Sequence, residues 1–339
     1  MNFLKDHYRL FITIILVIGV AVTFKYLSDP TNPGHTSYWP ETGNKSIYEK
    51  IYAYPIYQNK IKIINEYGKL VEIKSHHPNE ELVKEIKDNL KRIPNHILEN
   101  INERFIGIFL TENIASTGLV DTIFDDNRQP YYIMLLNVNK IKKKTNEWVN
   151  YRARSAFPEK FRKSINISMD KDDAKNTLFV ILLHEFAHVY SYVNHILPIE
   201  NYSNNRAPKA YPFIDISWDF NGRGVAYYKK GQMFAQLDYY KKIVDPESLA
   251  HPIKFYQELG KTNFTTLYST YDFQEDFAEA FTLYYWFELT DNPYKVDISH
   301  RSGDFTLDIK DRFLKSEKFK AIRFLIEKHK NNRFKKFLN

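Results

Sequence analysis

Apolar and polar residues alternate in the first third of the chain and later follow a helical spacing. The segment 51–74 alternates, which predicts a hairpin or short strands. From Pro78 the apolar residues recur at helical spacing, with Asn79 as a plausible N-cap. RFIGIFLTENI at 104–114 and YYIMLLNVNKI at 131–141 are rich in β-branched and aromatic residues and predict two strands. The stretch between them is rich in turn-forming residues.

Helical spacing dominates the second half of the chain. Asp172 and Asp173 could cap a helix over about 174–192, and a second helix is predicted over about 273–289. A final amphipathic helix covers roughly 309–330. Its expected core contacts are Phe313, Phe319, Ile322 and Ile326.

The region between the first two of these helices, residues 198–262, looks irregular. It holds Pro, Gly and aromatic clusters, and only FIDISW at 213–218 predicts a short strand. Strands followed by a mainly helical part predict an α+β fold: a small mixed sheet with one helix against it, then a helical subdomain. The hydrophobic fraction of 43% and charged fraction of 26% in 339 residues are those of a globular protein.

The amino terminus carries an apolar segment. Residues 10–24 read LFITIILVIGVAVTF without a charge, and Lys5, Arg9 and Lys25 flank them. The run is near the lower length limit for a membrane-spanning helix. A cleaved signal peptide, with Gly19-Val20-Ala21 near the cleavage site, and a buried core helix are the alternatives. The first interpretation makes the protein a single-pass bacterial membrane protein with its main domain outside the cytoplasm; cleavage would make it secreted or periplasmic.

The chain is therefore divided into three parts. Residues 1–27 form the membrane anchor or signal segment, and residues 28–75 form a Pro- and Gly-containing linker with the amino-terminal strands. Residues 76–339 form the main domain.

The net charge of +7 is diffuse except near the carboxyl terminus. The basic residues gathered there are Lys318, Lys320, Arg323, Lys328, Lys330, Arg333, Lys335 and Lys336. A solvated helix face explains them, and contact with an anionic membrane or cell-surface polymer is the alternative. The charge is not concentrated on a face as in nucleic-acid-binding proteins, so we expect no nucleic-acid partner.

Cysteine is absent, so a metal ion in this protein must be held by histidines and carboxylates. LLHEFAHVY at 182–190 has the required residues. On a helix His184 and His188 lie one turn apart on the same face, where both imidazoles can bind one zinc ion. Glu185 is placed to reach a water molecule rather than the metal. The HExxH pattern is expected by chance only about 0.02 times in a chain of this composition. In addition, burying three polar side chains without partners would be costly, and a bound metal ion would supply a partner.

A third ligand has to come from elsewhere. In the HExxHxxGxxH pattern the glycine position is Ser191 and the third histidine position is Asn194, while His195 is one residue out of register. The segment EDFAEAF offers Glu275 and Glu279, one helical turn apart among apolar residues. One of these carboxylates can complete the zinc site, and the other can bind the second nitrogen of a ligating histidine.

HEFAH followed at a distance by EDFAEAF resembles the gluzincin metallopeptidases, and most closely the branch that contains the anthrax lethal factor catalytic domain. The resemblance covers roughly residues 80–330 in element order, but only the two motifs are specific. It implies a zincin-type fold with one catalytic zinc ion bound by His184, His188 and Glu275. Glu279 would bind a ligating histidine from outside the zinc shell. Tyr268, seven residues before Glu275, would donate a hydrogen bond in the transition state, with Tyr271 as the alternative.

These residues would support hydrolysis of a protein or peptide substrate. Zinc lowers the pKa of a water molecule in its fourth position, and Glu185 would accept the proton and pass it to the leaving amine. A substrate strand could pair with an edge strand, for which 131–141 is the candidate unless it is internal. The expected function is a zinc-dependent endopeptidase. The alternatives are a catalytically silent zincin-fold binding protein of the bacterial envelope and an exported effector that cleaves a host protein.

Overall fold

The computed structural model describes residues 32–41, 43–55, 62–64, 70–198, 211–220, 226–237, 239, 249–301 and 303–337. The strands are β1 (Ile51–Ala53), β2 (Lys62–Ile64), β3 (Leu70–Glu72), β4 (Phe105–Thr111), β5 (Gly118–Phe124), β6 (Pro130–Asn137), β7 (Ile165–Ser168), β8 (Trp218–Phe220), β9 (Ala226–Tyr228), β10 (Lys295–Ile298) and β11 (Phe305–Asp308). The α-helices are α1 (Glu80–Leu90), α2 (Asn95–Ile101), α3 (Thr145–Ser155), α4 (Glu159–Arg162), α5 (Ala174–Val193), α6 (Pro252–Leu259), α7 (Phe273–Thr290), α8 (Ile309–Leu314) and α9 (Glu317–Phe337).

A four-stranded mixed sheet has the order β1-β4-β6-β5, with β5 antiparallel to β6 and the other pairs parallel. The central strands β4 and β6 consist almost entirely of buried apolar residues, as expected for strands covered on both faces. A second sheet has the antiparallel order β11-β10-β7, and β2–β3 and β8–β9 form separate hairpins. The described chain is thus a mixed α+β structure, which confirms the predicted class at this level.

The two faces of the first sheet are covered by different parts of the chain. One face packs on α5, where the ring centres of Phe105 and Phe186 lie 5.3 Å apart. The other face packs on the amino-terminal segment, where Tyr38 and Trp39 are buried and Trp39 contacts Phe109. The described part of the predicted linker therefore contributes to a hydrophobic core.

The predicted helices that carry the candidate ligands begin and end close to the expected residues. Asp173 caps α5 by accepting a hydrogen bond from the Asn176 N–H, 2.7 Å away. Asp272 caps α7 in the same way through the Glu275 N–H, also at 2.7 Å. Asn79 caps α1 as expected. Both α5 and α7 are apolar on nearly all sides, so they pack against each other inside the protein.

Two strand predictions are wrong. The stretch after residue 114 contains β5, and this strand pairs with the outer side of β6. β6 is therefore internal, and β5 is the edge strand. In the segment 213–218, residues Ile214–Ile216 form a 3₁₀ helix, and the short strand β8 only begins at Trp218.

The predicted carboxyl-terminal helix is two helices, α8 and α9, separated at Lys315 and Ser316. Phe313, Ile322 and Ile326 are buried and Phe319 is partly buried, as the pattern predicted. Lys318 departs from the predicted solvated face because it is completely buried against Asp276. The side chains of Arg333, Lys335 and Lys336 lie outside the described part.

The apolar segment within residues 1–27 also lies outside the described residues. Among the helices that are described, none combines the length and the apolar character needed to cross a membrane.

Candidate metal centre

His184 and His188 project from the middle of α5 toward the first turn of α7. His184 Nε2 lies 2.9 Å from Glu275 Oε2, and His188 Nε2 lies 3.9 Å from Glu275 Oε1. One ligand atom from each of the three residues falls within 4.8 Å of the others. Two imidazoles and a carboxylate this close together can hold one metal ion.

The other nitrogen of His184 faces α7 as well. Nδ1 lies 3.3 Å from Glu279 Oε1. Glu279 also accepts a hydrogen bond from Thr266 Oγ1 at 2.6 Å and pairs with the guanidinium group of Arg152. A carboxylate held in this way favours a proton on Nδ1 of His184, which would leave Nε2 to bind a metal ion once its own proton is displaced.

Burial and neighbouring charges shift the pKa values of these groups in opposite directions. Burial alone would lower the pKa of His184, but Glu275 and Glu279 raise it to about 10. Burial lowers the pKa of His188 to about 4. Burial would raise the pKa of Glu279, but Arg152 and His184 bring it down to about 2, so this carboxylate stays ionised.

Glu185 is also buried, on the side of α5 that faces β5. Burial raises the pKa of its carboxyl group to about 7, although His184 opposes the shift. A Cβ atom added at Gly118 would lie 2.4 Å from Glu185 Oε1. The strand can therefore approach Glu185 this closely only because position 118 has no side chain.

The cleft in front of these residues has a volume of about 260 Å³. Its walls include the three candidate ligands, Glu185, the start of β5 and Tyr268. The Tyr268 ring centre is 6.3 Å from that of His184. Tyr271 stacks on Tyr268 but is 47% exposed and does not line the cleft. The geometry thus favours Tyr268 over Tyr271 as the group that can reach a bound molecule.

The backbone of β5 offers hydrogen-bonding groups beside the cleft. The Thr117 carbonyl accepts a hydrogen bond from the Asn137 N–H at the end of β6. Successive residues of a strand direct their backbone groups to opposite sides, so those of Gly118 and Val120 point away from β6. Further along the same edge, the Thr122 N–H is bonded to Asp121 Oδ1, and the Phe124 N–H is bonded to the Gly34 carbonyl. The part of the β5 edge that lies next to the cleft and can bond to another chain therefore covers about three residues, 118–120.

A second buried ion pair lies one residue beyond Glu275. Asp276 pairs with Lys318 of α9, and both side chains are fully buried. The Trp218 Nε1–H donates to Asp276 Oδ2 at 2.8 Å, and the Lys318 ammonium lies 4.0 Å from the Phe213 ring centre. The described part of the 198–262 region is thus packed against the ligand-bearing helix rather than appended to the surface.

Four carboxylates of α5 and α7 lie at this centre beside two cations that come from other helices. Arg152 pairs with Glu279, and Lys318 pairs with Asp276. The carboxylates present are Glu185, Glu275, Asp276 and Glu279. His184 lies between Glu275 and Glu279, which raise its pKa, so its imidazole carries a positive charge when no metal is bound, and a metal ion would replace that proton.

The structure places the residues predicted from the two motifs at one centre, namely His184, Glu185, His188, Tyr268, Glu275 and Glu279. It also places residues there that the sequence did not indicate. His195 lies beyond the end of α5, exposed and in the left-handed region with φ 53°, away from the other histidines. Arg152 and Thr266 come from segments without a recognisable motif, and no sequence signal pointed to either. β5 could have been found from the apolar residues at positions 119, 120, 123 and 124, although polar residues interrupt them.

Comparison of the chain with protein-family models, with curated proteins and with solved structures finds no match. The site is therefore interpreted from its own geometry and from the two motifs.

Proposed function

We propose that this protein is a zinc-dependent endopeptidase of the gluzincin class, with a zincin-type domain similar to the lethal factor catalytic domain. One observation carries the proposal: His184, His188 and Glu275 converge within 4.8 Å in a cleft that Glu185 also lines. The expected amino-terminal anchor or signal segment would place this domain outside the bacterial cytoplasm. The proposed partners are a protein or peptide substrate and, through that segment, the membrane.

The donor set fits one zinc ion. Zinc prefers imidazole and carboxylate ligands when thiolates are absent, and a catalytic site uses three protein ligands. His184 and His188 would bind through nitrogen and Glu275 through a carboxylate oxygen, while Glu279 holds the far nitrogen of His184.

When bound, zinc would polarise the peptide carbonyl and make a water molecule more acidic. Glu185 takes the proton from the attacking water and delivers it to the leaving amine. Its carboxyl pKa of about 7 suits both halves of that transfer, because the group can accept and release a proton near neutral pH. Tyr268 donates a hydrogen bond to the oxygen that becomes negative during attack.

A peptide in the cleft would be held by the edge of β5. Gly118 and Val120 present backbone N–H and C=O groups to an extended chain, as in strand addition to a sheet. The contact between Phe124 and Gly34 occupies the far end of the same edge. A substrate strand would therefore form ladder hydrogen bonds over about three residues beside the metal.

The proposal is tested on purified full-length protein by metal analysis and by mass spectrometry of a peptide library after incubation. We expect one zinc ion per chain and cleavage of internal peptide bonds that stops when a chelator removes the metal. Stoichiometric zinc without any cleavage would contradict the peptidase assignment and favour a silent zinc-binding protein.

Replacing Gly118 with alanine is expected to lower kcat by on the order of 10- to 100-fold, because the added methyl group displaces the Glu185 carboxylate. The added Cβ would also lie 2.6 Å from Cδ and from Cγ of Glu185, so this side chain has to move as a whole. Zinc content and melting temperature are measured alongside. Gly260→Ala is the matched control, since a Cβ there meets its nearest atom at 3.3 Å. Full activity in Gly118→Ala would show that Glu185 can shift without cost.

Replacing Tyr268 with phenylalanine is expected to lower kcat by about 10²-fold with little change in KM or zinc content, as for loss of one oxyanion donor. Tyr271→Phe serves as the control, because that ring stacks on Tyr268 but lies outside the cleft lining. Steady-state kinetics of both variants decide the assignment. A larger loss in Tyr271→Phe than in Tyr268→Phe would transfer the role to Tyr271.

A further inference from the structure

Arg152 is a buried cation that reaches the candidate metal centre from a different element, helix α3. Its side chain is only 8% exposed, and it lines the same cleft as the three candidate ligands. An arginine is strongly solvated in water, so its burial here requires compensation by the groups around it. Those groups include Glu279 and Tyr268, on which the proposed chemistry depends.

The guanidinium group binds Glu279 with two parallel contacts. Nη1 lies 2.8 Å from Glu279 Oε1, and Nη2 donates to Oε2 at 3.0 Å. Oε1 is also the oxygen that lies 3.3 Å from His184 Nδ1. A paired, two-pronged contact fixes both the position and the plane of the carboxylate. Arg152 thereby sets the direction in which Glu279 faces the imidazole of His184.

The same guanidinium group lies over two aromatic rings. Its central carbon lies 4.5 Å from the Tyr268 ring centre and 4.7 Å from a Trp148 ring centre. Trp148 in turn donates a hydrogen bond from Nε1 to Thr117 Oγ1 at 3.0 Å, immediately before β5. Stacking against arginine favours one orientation of each ring. The position of Tyr268 in the cleft therefore depends on Arg152 as well.

We propose that Arg152 is a positioning residue that orients His184 for metal binding, through Glu279, and holds the Tyr268 ring in the cleft. The Tyr268 part rests on the proposed peptidase function, whereas the His184 part requires only that the centre binds a metal ion. Lysine cannot replace Arg152 in this role. Its ammonium group keeps the charge but lacks the planar fork that contacts both oxygens and stacks on the rings.

The test uses full-length Arg152→Lys and Arg152→Gln proteins. Arg154→Gln is the matched control, because Arg154 lies on the same helix and donates to the Ile165 carbonyl at 2.9 and 2.6 Å, away from Glu279. Three properties are measured: the zinc dissociation constant by chelator competition, the absorption spectrum of the cobalt-substituted protein, and kcat and KM. Thermal unfolding of each apoprotein reports whether the variant is folded.

We expect both Arg152 variants to bind zinc about 10- to 100-fold more weakly, as is typical for loss of a group that orients a ligating histidine. The cobalt spectrum should change, and kcat should fall while KM stays within about two-fold. Arg154→Gln should keep the wild-type dissociation constant and spectrum even if it lowers the melting temperature. A purely structural role for Arg152 would not produce this contrast.

A variant with unpaired Glu279 buried in the core could fail to fold, and two proteins guard against that outcome. Arg152→Lys retains the charge, and the double variant Arg152→Gln/Glu279→Gln removes both members of the pair, which is tolerated better than removing one.

Wild-type zinc affinity and cobalt spectrum in Arg152→Lys and in the double variant would overturn the inference. A raised KM with unchanged kcat would also overturn it, since Arg152 would then bind substrate. A metal-binding wild-type protein without peptidase activity would contradict the proposed function alone.

Discussion

Glu185→Gln is expected to lower kcat by about 10²- to 10⁴-fold, the range that general acid–base catalysis contributes. Glutamine has nearly the same shape, so it fits in the space left beside Gly118, but it cannot accept the proton of the attacking water. The zinc content should remain at the wild-type value, because the converging ligand atoms belong to His184, His188 and Glu275. Initial rates on a cleaved library peptide and metal analysis of the same preparation provide the measurement.

The retained metal is the control for Glu185→Gln. If the variant loses zinc together with activity, Glu185 is involved in metal binding and its role as base is not isolated. Cleavage at the wild-type rate by a zinc-loaded Glu185→Gln protein would rule out Glu185 as the base.

Glu275→Ala is expected to weaken zinc binding by more than about 100-fold, because it removes a group that would bind the metal directly. Loss of a residue that only hydrogen-bonds to a ligating side chain typically weakens binding by about 10- to 100-fold. The variant leaves His184 and His188 as the remaining members of the converging group. Zinc at a thousand times its dissociation constant stabilises a folded protein by about 4 kcal/mol. The zinc-dependent rise in melting temperature should therefore largely disappear in the variant at the same zinc concentration.

Glu288→Ala is the matched control for Glu275→Ala, because Glu288 lies on the same helix but is exposed. Chelator competition and thermal unfolding with and without zinc are measured on both variants. An unchanged zinc affinity in Glu275→Ala would show that another group supplies the third ligand.

The helices at the centre could be predicted from the sequence because their signals are local. Asp173 and Asp272 cap the helices in positions that fit the start of each apolar segment. The spacing of His184 and His188 follows from the helical repeat alone. The existence of α5 and α7 and the pairing of His184 with His188 could therefore be predicted from local signals, whereas the choice of Glu275 over Glu279 as third ligand came from the family resemblance.

The rest of the centre depends on contacts between residues far apart in the chain. Arg152 and Glu279 are separated by 127 positions, and no pattern around either residue indicates the other. β5 could not be recognised because Asp121 and Thr122 interrupt its apolar residues. Such polar residues are tolerated there because β5 lies at the edge of the sheet and is only partly buried. The sequence left open whether the segment 131–141 is an edge strand or an internal one, and β5 makes it internal.

The ion pair between Asp276 and Lys318 has a consequence for the order in which the centre can form during synthesis. Lys318 follows the last candidate ligand, Glu275, by more than 40 residues, so a growing chain contains all three ligands before the cation that neutralises Asp276 exists. Until then the Asp276 carboxylate of α7 lacks its cation, and burying it in the ionised form is unfavourable. Completion of the candidate metal centre is thus linked to the docking of α9.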